Sequence, residues 1–191
     1  MLKNQNSKTK REAILEVASR LFYEQGYNQT GIQQILNEAG AAKGTFYTFF
    51  KSKEMLGVAW LKNRHFTWNQ WLRDAIDSES TAGAKILAAF DFMGDWMSEC
   101  DYRGCAFLNT LSETPEPNSP LRQQILEHKS ELRELFQMLV VEHHAGKSEP
   151  EQKHVSAILF LLFEGTIVEL QNFRELWPLE AAKKQAQTLL Y

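Results

Sequence analysis

The stretch from Thr30 to Glu54, TGIQQILNEAGAAKGTFYTFFKSKE, constrains the chain more than any other. Ile32, Ile35, Leu36 and Ala39 recur at helical spacing and form one apolar stripe. Thr30 and Gln33 have the spacing of a capping box, in which each side chain satisfies an amide at a helix start. Gly40 stops that helix, because glycine alone enters the left-handed C-cap conformation without a side-chain penalty. A second helix is predicted from about Ala42 to Phe50. It turns Phe46, Phe49 and Phe50 mostly inward and leaves Lys43, Thr45, Tyr47 and Thr48 outward. Two short helices around a tight turn, followed at once by Lys51 and Lys53, have the layout with which a helix-turn-helix enters a major groove and grips flanking phosphates.

Charge follows the same division. The net charge of −3 argues against nucleic acid until its distribution is read. From Met1 to Arg64 there are ten Lys or Arg against five Asp or Glu; from His65 onward there are eleven against nineteen. A basic first third can lie on phosphates while the acidic remainder faces away. The amino terminus MLKNQNSKTK is polar and basic, so it reads as a loose arm and not a secretory signal. The longest apolar run, Ala157 to Phe163, is far short of the roughly 20 residues that span a bilayer. No membrane partner and a cytoplasmic location are therefore expected, with Cys100 and Cys105 as reduced thiols.

The segment KGTFYTFFKSKE resembles the TetR family of bacterial transcriptional regulators almost residue for residue, following a first helix from Lys10 to Gln25 closed by Gly26-Tyr27. The specific part of the resemblance covers residues 9 to 60. Three positions depart from the family pattern: Gly31 and Ala42 stand where hydroxyl residues are usual, and Phe49 replaces a common tyrosine. The resemblance implies an all-α chain of about nine helices, with a helix-turn-helix domain over 1–52 and an effector-binding and dimerisation domain over 53–191. It implies double-stranded DNA with a palindromic operator as one partner, a small-molecule effector as another, and a homodimer. Lys43, Tyr47, Thr48 and Lys53 are the expected DNA contacts, with Thr30, Gln33, Gln34, Gly44 and Thr45 close to backbone or base edges.

Beyond this unit the periodicity remains helical and gives no strand signal. Helices are predicted at about Lys53 to Ile76, Ala84 to Glu99, a short one to Glu113, Pro120 to His144, Pro150 to Phe173, and one beginning at Pro178. Thr114 to Pro120 reads as a loop. Along the eighth helix Leu161, Gly165 and Val168 lie off the main apolar stripe, and they are the expected dimer interface.

Aromatic residues concentrate in the helices of the second domain, Phe66, Trp68 and Trp71 among them. Most aromatic stripes at helical spacing are core packing. In the resembled family this domain encloses a ligand pocket, which assigns Trp60, Asn63, Phe92, Trp96, Cys105, Asn109, His128 and Phe163 to an effector site, with Glu164 nearby. His128 lies on an apolar helix face, where a satisfied core histidine competes with a ligand-binding one. Cys105 falls at the first turn of the sixth helix, where free amides favour a thiolate. A Gly-Cys pair here, followed by a glutamate like Glu113, resembles a subgroup that senses electrophiles or oxidants. No zinc-ligand spacing, nucleotide-binding glycine loop or hydrolase triad is present, so no metal, cofactor or catalytic residue is expected. The competing reading is an architectural or division-linked DNA-binding protein whose second domain meets a protein instead of a ligand.

Overall fold

Thr9 starts the first helix by a capping box: its hydroxyl accepts from the Glu12 amide while the Glu12 carboxylate accepts from the Thr9 amide. The computed structural model describes residues 9–114 and 116–191; the amino-terminal arm and Pro115 of the predicted loop lie outside them. The described residues are all-α, with nine helices. They are α1 (Lys10–Gln25), α2 (Ile32–Glu38), α3 (Lys43–Phe49), α4 (Lys53–Ile76) and α5 (Ala82–Glu99), then α6 (Ala106–Glu113), α7 (Pro120–His143), α8 (Glu149–Phe173) and α9 (Trp177–Leu190). The chain divides into two compact units, Met1–Arg64 with Ala106–Ile125 and His65–Cys105 with Leu126–Tyr191, whereas the sequence places a boundary after Ser52. α4 and α7 each contribute to both units.

In the first unit α1 packs on α2 and α3, and Ile14, Ala18, Leu21 and Phe22 of its inner face are buried. Ile35, Leu36, Phe46 and Phe50 complete that core. Each such side chain contributes roughly 2 kcal/mol by leaving water. Trp60 belongs here, its ring 5.2 Å from that of Phe22. Gly57 permits close approach, since a Cβ there would sit 2.8 Å from the Tyr27 ring and 2.9 Å from Leu121.

The Thr30–Gln33 capping box does not form. Gly31 is the N-cap of α2, with no side-chain bond. The buried Thr30 hydroxyl lies 2.8 Å from the Gly26 carbonyl and 3.2 Å from that of Leu21, tying α2 to the end of α1. Gln33 instead donates to Asn37 along its own helix. The Gly26 carbonyl lies just past the end of α1, where the helix offers it no amide, and the Thr30 hydroxyl supplies the missing donor.

In the second unit Thr81 caps α5, whose Ile86, Phe90, Met93 and Met97 are buried. α9 packs on α5 and α8, with Pro178 in its first turn. Val155, Leu159, Phe163, Ile167 and Leu170 are the buried stripe of α8. This 25-residue helix has a most apolar window of mean hydropathy 1.4, so the expectation that no segment has the length and apolar character to cross a bilayer is corrected. The middle of α4 also departs from expectation: Trp68 is buried, but Phe66 is 71% exposed and Trp71 lies at the surface.

Candidate functional site

The turn between α2 and α3 is built from one left-handed residue and two hydrogen bonds. Gly40 takes a positive φ of 58°, the Ala41 amide donates to Leu36 across 3.0 Å, and Lys10 of α1 donates to the Gly40 carbonyl at 2.9 Å. Arg20, paired with Glu24 and Glu38, ties α1 to the end of α2. Thus held, α3 anchors through buried Phe46, whose ring lies 5.1 Å from Tyr47 and 5.9 Å from Phe50. Lys43, Gly44, Tyr47 and Thr48 are exposed and Thr45 is half-buried. The Thr48 hydroxyl donates to the Gly44 carbonyl at 3.1 Å, which leaves its oxygen lone pairs outward. Phe49 is also outward, 41% exposed, which corrects the inward placement read from spacing.

Two expected contacts are committed elsewhere. Thr30 is buried, its hydroxyl spent on α1, and so is removed from the DNA-facing surface. Lys53 is half-buried: its ammonium stands 4.5 Å from the Tyr27 ring centroid and donates to the Asn28 carbonyl at 3.4 Å. Burial pushes the Lys53 ammonium below its ordinary range, against the attraction of Glu113. The same burial, with Glu54 and Glu116 adding, pushes the Tyr27 hydroxyl up to about 12. Gln34 lies along α2, donating to Glu38.

Glu113, at the end of α6, holds the turn after α1. Its carboxylate accepts from the Asn28 amide at 2.6 Å, and its carbonyl accepts from the Asn28 side chain at 2.7 Å. A Cβ at Gly26, whose φ of 102° already disfavours a side chain, would lie 2.8 Å from a Glu113 oxygen and push the carboxylate out of this clasp. Sequence spacing could not find this clasp, whose partners are 85 residues apart.

Phe92, Trp96, His128 and Phe163 of the expected effector site do converge, around Trp68. Its ring centroid lies 5.6 Å from Phe92, 5.7 Å from Trp96, 5.2 Å from His128 and 6.5 Å from Phe163. Trp68 is thus the hub of an assembly in which spacing gave it no distinct place. The indole nitrogens of Trp68 and Trp96 are buried without a hydrogen-bond acceptor. His128 is partnered, its Nδ1 3.1 Å from Nδ1 of His65, which faces Glu131. Trp60, Asn63 and Asn109 are not part of this cluster: all three belong to the first unit, Trp60 in its core and Asn63 exposed.

Cys105 is buried and directly precedes α6 instead of lying in its first turn. The loop before it is tightly wound, with Asp101, Tyr102 and Gly104 all at positive φ. Gln171 donates to the Arg103 carbonyl at 3.0 Å, and Arg174 pairs with Asp101. The Lys129 ammonium donates to the Cys105 sulfur at 3.6 Å and to Glu164 Oε2 at 2.5 Å. Burial opposes the Lys129 charge, but Cys105 and Glu164 together outweigh it and hold this ammonium above its ordinary range. The other Glu164 oxygen is buried and unpaired.

On α8 the expected interface residues lie on one outward stripe. Leu161 is 67% exposed, Val168 and Gly165 are exposed, and a Cβ at Gly165 would meet nothing within 4 Å.

Residues 14–59 match the family described as bacterial regulatory proteins, tetR family. The HTH-type transcriptional regulator LmrA of Bacillus subtilis is 30% identical over 161 residues, covering 83% of this chain and 84% of that protein. The HTH-type transcriptional repressor NemR of Escherichia coli is 23% identical over 185 residues, covering 94% of this chain and 93% of that protein. Among solved structures, a TetR-family regulator from Streptomyces coelicolor matches with a TM-score of 0.86 at 25% identity, over 95% of this chain and 94% of its own. The reduced form of Escherichia coli NemR matches with a TM-score of 0.82 at 22% identity, over 96% of this chain and 98% of its own. The chain belongs to the TetR family. It is a helix-turn-helix, DNA-binding transcriptional regulator and not an enzyme.

Proposed function

We propose that the protein is a cytoplasmic homodimeric repressor that binds a palindromic operator through α3 and is released by a small organic effector or a thiol-reactive electrophile acting in the second unit. The observation that carries the DNA half is the two-sidedness of α3: Phe46 is buried in the core beneath it while Lys43, Tyr47 and Thr48 face solvent. Lys43 acts on phosphate, Thr48 and Tyr47 on base edges and backbone, with Gly44 and Thr45 allowing close approach. Gln33 and Gln34 flank the phosphates from α2. Dimerisation through Leu161, Gly165 and Val168 covers the outward stripe of α8 and supplies the two-fold symmetry that a palindrome requires. The relative named a repressor supports the sign of regulation. The effector site, in this reading, comprises Phe92, Trp96, His128, Phe163 and Trp68, with two unpaired indole donors to recognise an acceptor on the ligand.

The test separates Lys43 from Lys53. Removing a lysine that neutralises one phosphate lowers the salt dependence of DNA binding by about one ion. Lys43→Ala is expected to do so on every sequence. Lys53→Ala is expected to weaken binding with little change in slope, because its ammonium is spent on Tyr27 and Asn28. Equal slope changes for the two variants, measured by fluorescence anisotropy across a salt series, would return Lys53 to the phosphates. An unchanged slope for Lys43→Ala would remove Lys43 from them.

A further inference from the structure

We propose that Phe49 reads thymine: its ring packs on the C5-methyl group of a thymine in each half-site, which makes it a specificity residue of the DNA-binding surface. The inference rests on the docking of α3 proposed above and names what one side of that helix recognises. α3 has two unlike flanks. Lys43 and Tyr47, four residues apart, lie on one side, and Thr45 and Phe49, also four apart, lie on the other, with Gly44 and Thr48 along the crest between them. The first flank ends in an ammonium and a phenol. The second holds no charge: the Phe49 ring is its largest group, the Thr45 hydroxyl its polar one, and exposed Ala42 at the N-cap adds a methyl alone. Phe46 and Phe50 are buried in the core at 0% and 3% exposure, whereas Phe49 is 41% exposed. The core thus takes two of these phenylalanines and leaves the third beside the surface that carries Tyr47 and Thr48. Covering it on DNA is favourable in proportion to the apolar area that leaves water.

The chemistry of the ring selects its partner. Phe49 has no group that bonds a phosphate or a polar base edge. In the major groove the base pairs present hydrogen-bond donors and acceptors, and one apolar group large enough to cover a ring face, the thymine methyl. The crest of α3 allows a flanking ring to reach that depth. Its two residues are small, and the Thr48 hydroxyl folds back onto the Gly44 carbonyl at 3.1 Å. A Cβ at Gly44 would meet nothing in the protein within 4 Å, so the fold does not require this glycine, and the space it leaves faces outward. A helix seated there by Lys43 on a phosphate brings its opposite flank, and Phe49 with it, against the base edges.

The experiment alters the DNA first and the protein second. Duplexes recovered by selection from random DNA are remade with each half-site thymine replaced singly by 2′-deoxyuridine, which lacks only the methyl, and binding is measured by fluorescence anisotropy. At one or more thymines of each half-site the wild-type protein is expected to lose about three- to fivefold in affinity, the effect of removing one methyl from a buried contact. Phe49→Ala should bind the thymine and uracil duplexes within about 1.5-fold of each other. Phe49→Tyr keeps the ring and should retain the discrimination. Lys43→Ala should bind both duplexes more weakly and preserve the wild-type ratio, because it acts on phosphate. Phe49→Ala should leave the salt slope unchanged, since no counterion is involved. The ratio of two duplexes on one protein does not respond to a small loss of stability in a variant. The absence of any methyl effect, or an equal one in wild type and Phe49→Ala, would overturn the proposal. Weaker binding by Phe49→Ala without methyl dependence would place the ring on deoxyribose and overturn it too. If Lys43→Ala and Tyr47→Ala bound like wild type, the docking of α3 would fall and this proposal with it. Methyl-blind binding by a wild type that those two variants weaken would strike the proposal alone.

Discussion

At the scale of single residues, the polar side chains that join separate elements of this protein are claimed by partners far away in sequence. Thr30 shows the consequence. Its hydroxyl serves carbonyls of Leu21 and Gly26 from a fully buried position. Thr30→Val keeps the shape and strands the Gly26 carbonyl, at a cost of about 1 to 2 kcal/mol. A drop of roughly 3 to 6 °C in melting temperature is expected, with DNA affinity at low temperature changed less than about threefold. An unchanged melting temperature together with lost DNA binding would place Thr30 on the operator after all. Lys129 carries the same lesson in charged form, since its partners lie 24 and 35 residues away.

At the scale of helices, α1 and α4 begin and end where the sequence predicts, because caps and apolar stripes are local signals. Which side of a stripe is covered is not local. Phe49, Phe66 and Trp71 have the spacing of core residues yet reach solvent, because no neighbouring helix lies over those faces. The aromatic half of the candidate ligand site was legible for the converse reason: Phe92, Trp96, His128 and Phe163 sit on strongly periodic helices whose inner faces must converge. The cluster at Cys105 was legible only as a cysteine, since nothing in the spacing joins it to α7 and α8. The junction of α7 with α9 carries a pH dependence. His144 is buried with its Nε2 3.2 Å from the Leu189 carbonyl, and burial, aided by Lys147 and His143, pushes its imidazole below the ordinary range. Its folded form therefore resists protonation. This stabilising contribution is complete above the unfolded imidazole value of roughly 6.5 and is lost as pH falls below it. Thermal melts between pH 7.5 and 5 are expected to steepen below that value and to flatten in His144→Asn. An identical slope in the variant would assign the acid sensitivity to other groups.

At the scale of the whole molecule, regulation in the proposed dimer requires that events in the second unit reach α3. α4 and α7 each contribute to both units, and α6 runs from the residue after Cys105 to Glu113, which clasps the turn after α1. An effector acts only through preference for the released form, and a hundredfold preference corresponds to roughly 2.7 kcal/mol of coupling. The outward stripe of α8 is where the assembly itself is testable. Gly165→Trp places a large side chain where close helix approach is expected, so sedimentation should show monomers and DNA affinity should fall with them. An intact dimer would move the interface elsewhere. The most direct test of the central claim is selection of bound sites from random duplex DNA, followed by footprinting with wild type and Tyr47→Ala. The account predicts a palindrome whose half-sites are centred about 34 to 36 Å apart along the duplex, one helical turn, or a multiple of it, and a loss of selective binding in the variant. Enrichment of no palindrome, or an unaltered site preference in Tyr47→Ala, would contradict it.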